Sequence, residues 1–192
     1  MGKLIYSMNV SLDGYVETPD HSLDWATVDE ELHSWFNAQA REMDASLYGR
    51  RMYELMAAYW PTAESDPSAT QAEYARIWKP MPKIVFSSTL TAVDWNSRLV
   101  TGDVGEELTR LRSEFDGDLD VSGPTLAAQF IRRGLVDEYR LVVHPVVLGA
   151  RNSVLPDARQ PDPPPTDGDP DLRVRRHLPG LHRAVGAGSP GS

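Results

Sequence analysis

The sequence predicts an α/β fold with a mostly parallel central sheet and helices on both faces. Two observations carry this expectation. Apolar segments of strand period alternate with segments of helical period, in the order β, loop, α, β, α, α, β, β, α, β, α, β. The clearest unit, residues 118–145 (DLDVSGPTLAAQFIRRGLVDEYRLVVHP), reads as strand, sharp Gly turn, helix, strand. A helix between two strands supplies the crossover length that parallel pairing requires.

Within that unit, Leu119 and Val121 alternate with acidic and polar residues, as on a strand with one buried face. Ser122-Gly123-Pro124 breaks the alternation: Gly permits a tight or left-handed backbone, and Pro suits the first helical position. Leu126, Ala127, Phe130 and Ile131 follow at helical spacing, Gly134 is the stop signal, and residues 139–143 form the next strand. A strand that passes through Gly into a helix leaves free N–H groups at a positive dipole end, which suits a phosphate. The same turn also serves as a plain connection, so alone it is a weak signal.

Residues 3–10 (KLIYSMNV) read as the opening strand, followed by a polar loop, SLDGYVETPDHSLDW, of the kind that covers a site or is merely solvated. Residues 29–40 read as a helix with a Leu32, Trp35, Phe36 stripe. Asp29, Glu30 and Glu31 in its first turn match the dipole, and one of them can face a substrate. Residues 44–48 are the next strand, and Gly49-Arg50-Arg51 opens the next helix. Arginine in a first turn opposes the dipole; a bound anion removes the conflict, because the guanidinium fork matches phosphate oxygens. Residues 69–78 read as a helix and 82–86 as a strand ending in the hydroxyl run Ser87-Ser88-Thr89. Ligands of open α/β sheets bind beyond such strand ends, although hydroxyls there also cap turns. A short strand at 98–100 and a helix at 105–115, with Val104, Leu108 and Leu111 inward, complete the order.

Composition narrows the function classes. Across 192 residues, 28 acidic against 19 basic side chains give a net charge of −9, which argues against nucleic-acid or anionic-membrane partners. The absence of cysteine excludes a disulfide framework, a thiolate metal site and a Cys nucleophile. No apolar run is long enough to span a bilayer and no metal motif is visible, so a cytoplasmic protein with a small-molecule substrate is expected.

The segments YSMNVSLDGYV, LYGRRMYE, KIVFSSTL and DVSGPTLAAQFIRRGLVDEYRLVVHPVVLG, in this order over residues 3–149, resemble the dihydrofolate reductase-like superfamily. The branch they are most similar to is the riboflavin-biosynthesis reductase, or RibD C-terminal, domain. The resemblance implies a dihydrofolate reductase-like sheet that binds NADPH across its C-terminal edge. It implies that Gly49, Arg50 and Arg51 hold cofactor phosphates and that Ser87, Ser88 and Thr89 meet the adenosine 2′-phosphate. Ser122, Gly123, Pro124, Thr125 and Leu126 would meet the pyrophosphate and nicotinamide. The Asp13–Gly14 loop would close over the reacting ring, Trp25 would wall the substrate pocket, and Asp13 and Glu31 are the catalytic candidates, the family's first-helix acid mapping to Glu30 or Glu31. The implied reaction is hydride transfer to a C=N or C=O carbon of a small heterocyclic or sugar-linked substrate, as in a 5-amino-6-(5-phosphoribosylamino)uracil reductase. Met52 and Ser122 depart from dihydrofolate reductase proper, where Thr and Gly are usual, so folate itself is not the expected substrate. A catalytically impaired NADPH-binding relative and a cofactor-free partner-binding module are the alternatives.

Residues 1–149 are thus expected to be the reductase domain. Residues 150–192 change character: eight of the fifteen prolines fall there, which opposes sheet. Removing one nucleotide near Arg151 from a GC-rich back-translation opens a reading with a pair of strands. The expectation is an irregular tail, either a frameshift product or a natural disordered segment. The reading allows a homodimer, weakened if the tail is aberrant.

Overall fold

The computed structural model describes residues 2–149 and 153–156. Its strands are β1 (Leu4–Ser11), β2 (Met43–Gly49), β3 (Lys83–Phe86), β4 (Ser97–Val100), β5 (Asp118–Ser122) and β6 (Glu138–His144). Its helices are α1 (Glu30–Arg41), α2 (Arg50–Tyr59), α3 (Ala69–Trp78), α4 (Val104–Glu114) and α5 (Pro124–Arg132). The strands form one sheet in the order β4-β3-β2-β5-β1-β6, and every pairing is parallel. The element order matches the sequence expectation, and the sheet is wholly rather than mostly parallel.

One sheet face carries the main core. Leu4, Tyr6, Leu47, Ile84, Leu119 and Val121 pack against Leu108 and Leu111 of α4 and against Leu126, Ala127 and Phe130 of α5. Each buried large aliphatic side chain contributes roughly 1.5–3 kcal/mol. The other face is more polar. Tyr48 and Val85 meet Tyr53 of α2, and the Trp78 indole of α3 donates to the Tyr48 hydroxyl at 3.3 Å. Asp120, expected on an open strand face, is half-buried on this side.

Helix starts divide into two kinds. Asp29, Ser68 and Asp103 cap α1, α3 and α4 by accepting backbone N–H groups of the first turn. In contrast, α2 and α5 begin at Gly49 and Gly123, with no side-chain cap. Their first N–H groups therefore lack partners inside their own helices.

The two uncapped starts lie at the sheet's switch point. From β2 the chain moves to β3 on one side, and from β5 to β6 on the other. Helices that diverge from neighbouring strands open a crevice beyond the strand ends.

The core extends past residue 149. Val154 is 6% exposed and packs in the main core, the Tyr6 hydroxyl donates to its carbonyl at 3.0 Å, and its N–H donates to Gly14 at 2.9 Å. Ser153 pairs with Tyr15 in an antiparallel bridge. The domain thus includes residues assigned to the tail on composition, because a short apolar contact leaves no mark in a proline-rich average. Residues 150–152 and 157–192 lie outside the described part, and with them most of the expected irregular tail and the frameshift question. Among the described residues, no helix is long and apolar enough to cross a membrane.

Candidate functional site

A cavity of about 740 Å³ occupies the crevice. It is lined by Gly49, Arg50, Arg51 and Met52 at the start of α2, by Phe86 at the end of β3 and Ser87 to Thr89 after it, and by Ser122 to Leu126 at the β5–α5 turn. Met8, Val16, Val100 and Val104 supply apolar wall. Every residue expected at the cofactor therefore lines one open cleft.

The backbone turn at this point depends on glycine. Gly123 has φ 93°, a left-handed conformation that penalises any side chain, and a Cβ there would stand 3.4 Å from the Met52 Cβ. A Cβ on Gly49 would meet the Leu126 Cβ at 3.5 Å. The helix starts thus sit side by side, with two sets of N–H groups and two positive dipole ends at one opening.

The arginines of α2 are held differently. Arg50 donates through Nε to Glu54 at 2.8 Å and through Nη1 to the Thr89 hydroxyl at 3.1 Å, which joins α2 to the hydroxyl run after β3. Ser87 Oγ accepts the N–H groups of Thr89 and Leu90, which holds that turn in shape. Arg51 pairs with Glu17 at 2.5 Å, and Glu17 also bonds His21 Nδ1 at 2.8 Å. Glu17 is 3% exposed although its loop is polar. Sequence pattern did not single it out, because an isolated acid in a polar loop reads as solvated.

Behind the cavity wall lies a second missed acid. The Ser122 hydroxyl donates to Asp120 Oδ2 at 2.7 Å. Burial pushes Asp120 up to about 6, partly offset by its bonds from Ser122 and Ser7 and by the Arg140 charge.

The acids expected to be catalytic occupy other places, and neither lines the cavity. Asp13 accepts from Ser11 Oγ at 2.7 Å and from the N–H groups of Leu148 and Gly149 at 3.1 and 2.8 Å. The Ser11 bond, aided by those N–H groups, holds its carboxyl down at about 2. It ties the loop to the segment after β6. Glu31 is exposed in the first turn of α1. Gly14, with φ 86°, forms the turn that receives Val154. Trp25 stacks edge-on against His144, centroids 5.4 Å apart, and its buried indole N–H lacks a partner among the described residues. His144 in turn bonds Asn9 at 2.9 Å, and burial lowers its pKa.

A profile of the RibD C-terminal domain matches residues 2–176. The chain belongs to the RibD C-terminal domain family. The uncharacterized protein YyaP of Bacillus subtilis (strain 168) is 33% identical over 159 residues, 82% of each chain. Among solved structures, a putative riboflavin biosynthesis protein from Shewanella sp. PV-4 superposes with a TM-score of 0.65 at 21% identity, covering 83% of this chain and 86% of that one. The diaminohydroxyphosphoribosylaminopyrimidine deaminase/5-amino-6-(5-phosphoribosylamino)uracil reductase of Thermotoga maritima gives 0.55 at 14% identity, and Acinetobacter baumannii RibD gives 0.53 at 16%. The chain spans 51% and 49% of the length of those two proteins. These likenesses place the RibD-type fold under the cavity just described.

Proposed function

We propose that this RibD C-terminal domain is an NADPH-dependent reductase acting on a small heterocyclic or sugar-linked substrate. One observation carries the proposal: two uncapped Gly helix starts and the Arg50–Thr89 pair open into the same cavity. Free N–H groups at α5 suit a pyrophosphate, and the glycine at 123 leaves its backbone accessible. Arg50 with Ser87, Ser88 and Thr89 offers a cation and hydroxyl donors, the chemistry that recognises a ribose 2′-phosphate. The bound dinucleotide would supply the hydride; the chain's own residues orient it and exclude water. The reductase named among the similar structures supports the same reaction class.

The test is a titration with NADPH and with NADH, read by nicotinamide fluorescence, followed by turnover with a dihydropterin and an aminopyrimidine. Tight NADPH binding with weaker NADH binding is expected. Equal or absent binding of both would overturn the proposal. A second reading, an NADPH-binding relative without turnover, is favoured by one observation: neither Asp13 nor Glu31 lines the cavity.

A further inference from the structure

Reduction of a C=N or C=O group needs a proton as well as a hydride, and the cavity's own acids are committed elsewhere. Glu54 is paired with Arg50, and Glu17 with Arg51 and His21. A carboxylate in an ion pair accepts hydrogen bonds and has no proton to donate. Asp13 is ionised and turned to backbone N–H groups. Asp120 differs. It lies one strand repeat below the cavity rim, two residues before its wall residue Ser122, and among the described residues no ion pair reaches it.

Resting on the reductase reading, we infer that Ser122 hands the proton to the bound substrate and that Asp120 is the positioning acid that restores it. The geometry is directional. Ser122 has one hydroxyl hydrogen, which it gives to the Asp120 carboxylate. When Asp120 carries the proton, it becomes the donor, and the Ser122 hydrogen is released to point into the cavity. The relay balances. The hydride adds to the carbon of C=X, and the electron pair on X takes the Ser122 Oγ proton. Oγ takes the Asp120 carboxyl proton, and solvent later restores the acid. The dihydronicotinamide is oxidised and the C=X bond reduced.

The surroundings of Asp120 support a stored proton. On β1, Ile5 lies beside it in register, with Ser7 donating to it and Tyr6 near; on β2, Ser46 stands in register, with Tyr48 next along that face. Tyr74 of α3 also feels its charge. From β6, Arg140 is the facing cation, but it is spent on Glu138 at 2.8 Å and on Gln39. Burial among neutral hydroxyls with the cation turned aside favours the uncharged acid.

The first experiment needs no substrate. Aspartate carboxyl carbons are labelled in the full-length protein and titrated by NMR, and the Asp120 signal is assigned by its loss in Asp120→Asn. A midpoint near 6 is expected, moving upward in Ser122→Ala because the carboxylate loses a donor. A midpoint near the ordinary carboxylate value, or one that Ser122→Ala leaves in place, overturns the relay. The second experiment uses 7,8-dihydropterin as the probe. Ser122→Ala and Asp120→Asn are expected to lower kcat about 100-fold with little change in KM, the scale of general acid catalysis. The wild-type fall in kcat above pH 6 should vanish in Asp120→Asn and return in Asp120→Glu. Unchanged kcat in both variants overturns the relay. Failure of the wild type to bind NADPH overturns the reductase reading instead, and the carboxyl titration still decides the Asp120–Ser122 couple.

Discussion

Arg50 and Thr89 lie 39 positions apart in the chain, and the guanidinium Nη1 stands 3.1 Å from the threonine hydroxyl. This contact closes the side of the cavity between α2 and the turn after β3. Glu54, one helical turn on from Arg50, holds the same guanidinium at 2.8 Å and so fixes its direction.

Arg50→Ala is expected to weaken NADPH binding by roughly 10- to 100-fold, the worth of a charge-assisted hydrogen bond to phosphate. NADH binding should change little. Fluorescence titration of both nucleotides checks this; an equal loss for the two would move Arg50 from the 2′-phosphate to the pyrophosphate.

Glu17→Gln should act in the opposite direction. It removes the negative charge 2.5 Å from Arg51 and frees that guanidinium for a bound anion. NADPH affinity is expected to rise several-fold at low salt, and the gain should shrink as ionic strength increases. Isothermal titration at two salt concentrations measures both effects.

Gly123→Ala is expected to cost about 1–2 kcal/mol of stability, the penalty for a side chain in a left-handed conformation. The added Cβ would only reach van der Waals contact with Met52 at 3.4 Å, so the backbone conformation and not a clash sets the cost. Thermal unfolding of the two proteins measures that cost.

Lys83 is fully buried, and its ammonium donates to the carbonyls of Met81 and Trp95 at 2.9 and 2.7 Å. Burial lowers its pKa from 10.5 to about 8. Between those values the unfolded chain binds more protons than the folded one. Stability should therefore rise with pH across that window, by on the order of 2 kcal/mol. In Lys83→Met the rise should disappear from denaturant midpoints measured at pH 8 and pH 10.

Val154→Ala should destabilise the domain by about 1–2 kcal/mol, as removal of buried methyl groups does. A change within error would mean that the segment after residue 149 adds nothing to the core. Chemical denaturation of the two proteins decides it.

Much of the fold was legible because its signals are local. Apolar period marks each strand and helix, and the glycines at 49 and 123 mark strands that turn straight into helices. Arginines against the dipole at 50 and 51 pointed to an anion, and both residues face the cavity. The acids were less legible. Asp13 and Glu31 were favoured by family position, but Asp13 is consumed by backbone N–H groups and Glu31 stays on the exposed side of α1. Glu17 and Asp120 look like ordinary polar-loop and strand residues.

By itself the sequence determined the order of the elements, the phosphate-friendly corners and the lack of cysteine chemistry, since each follows from neighbours a few positions apart. Only the tertiary structure decided that these corners share one cavity, that Arg51 meets Glu17, that Val154 enters the core, and that Asp120 stands behind Ser122 with no ion pair among the described residues. Burial and pairing between distant segments set the charge state of an acid, and neither is written in the residues beside it.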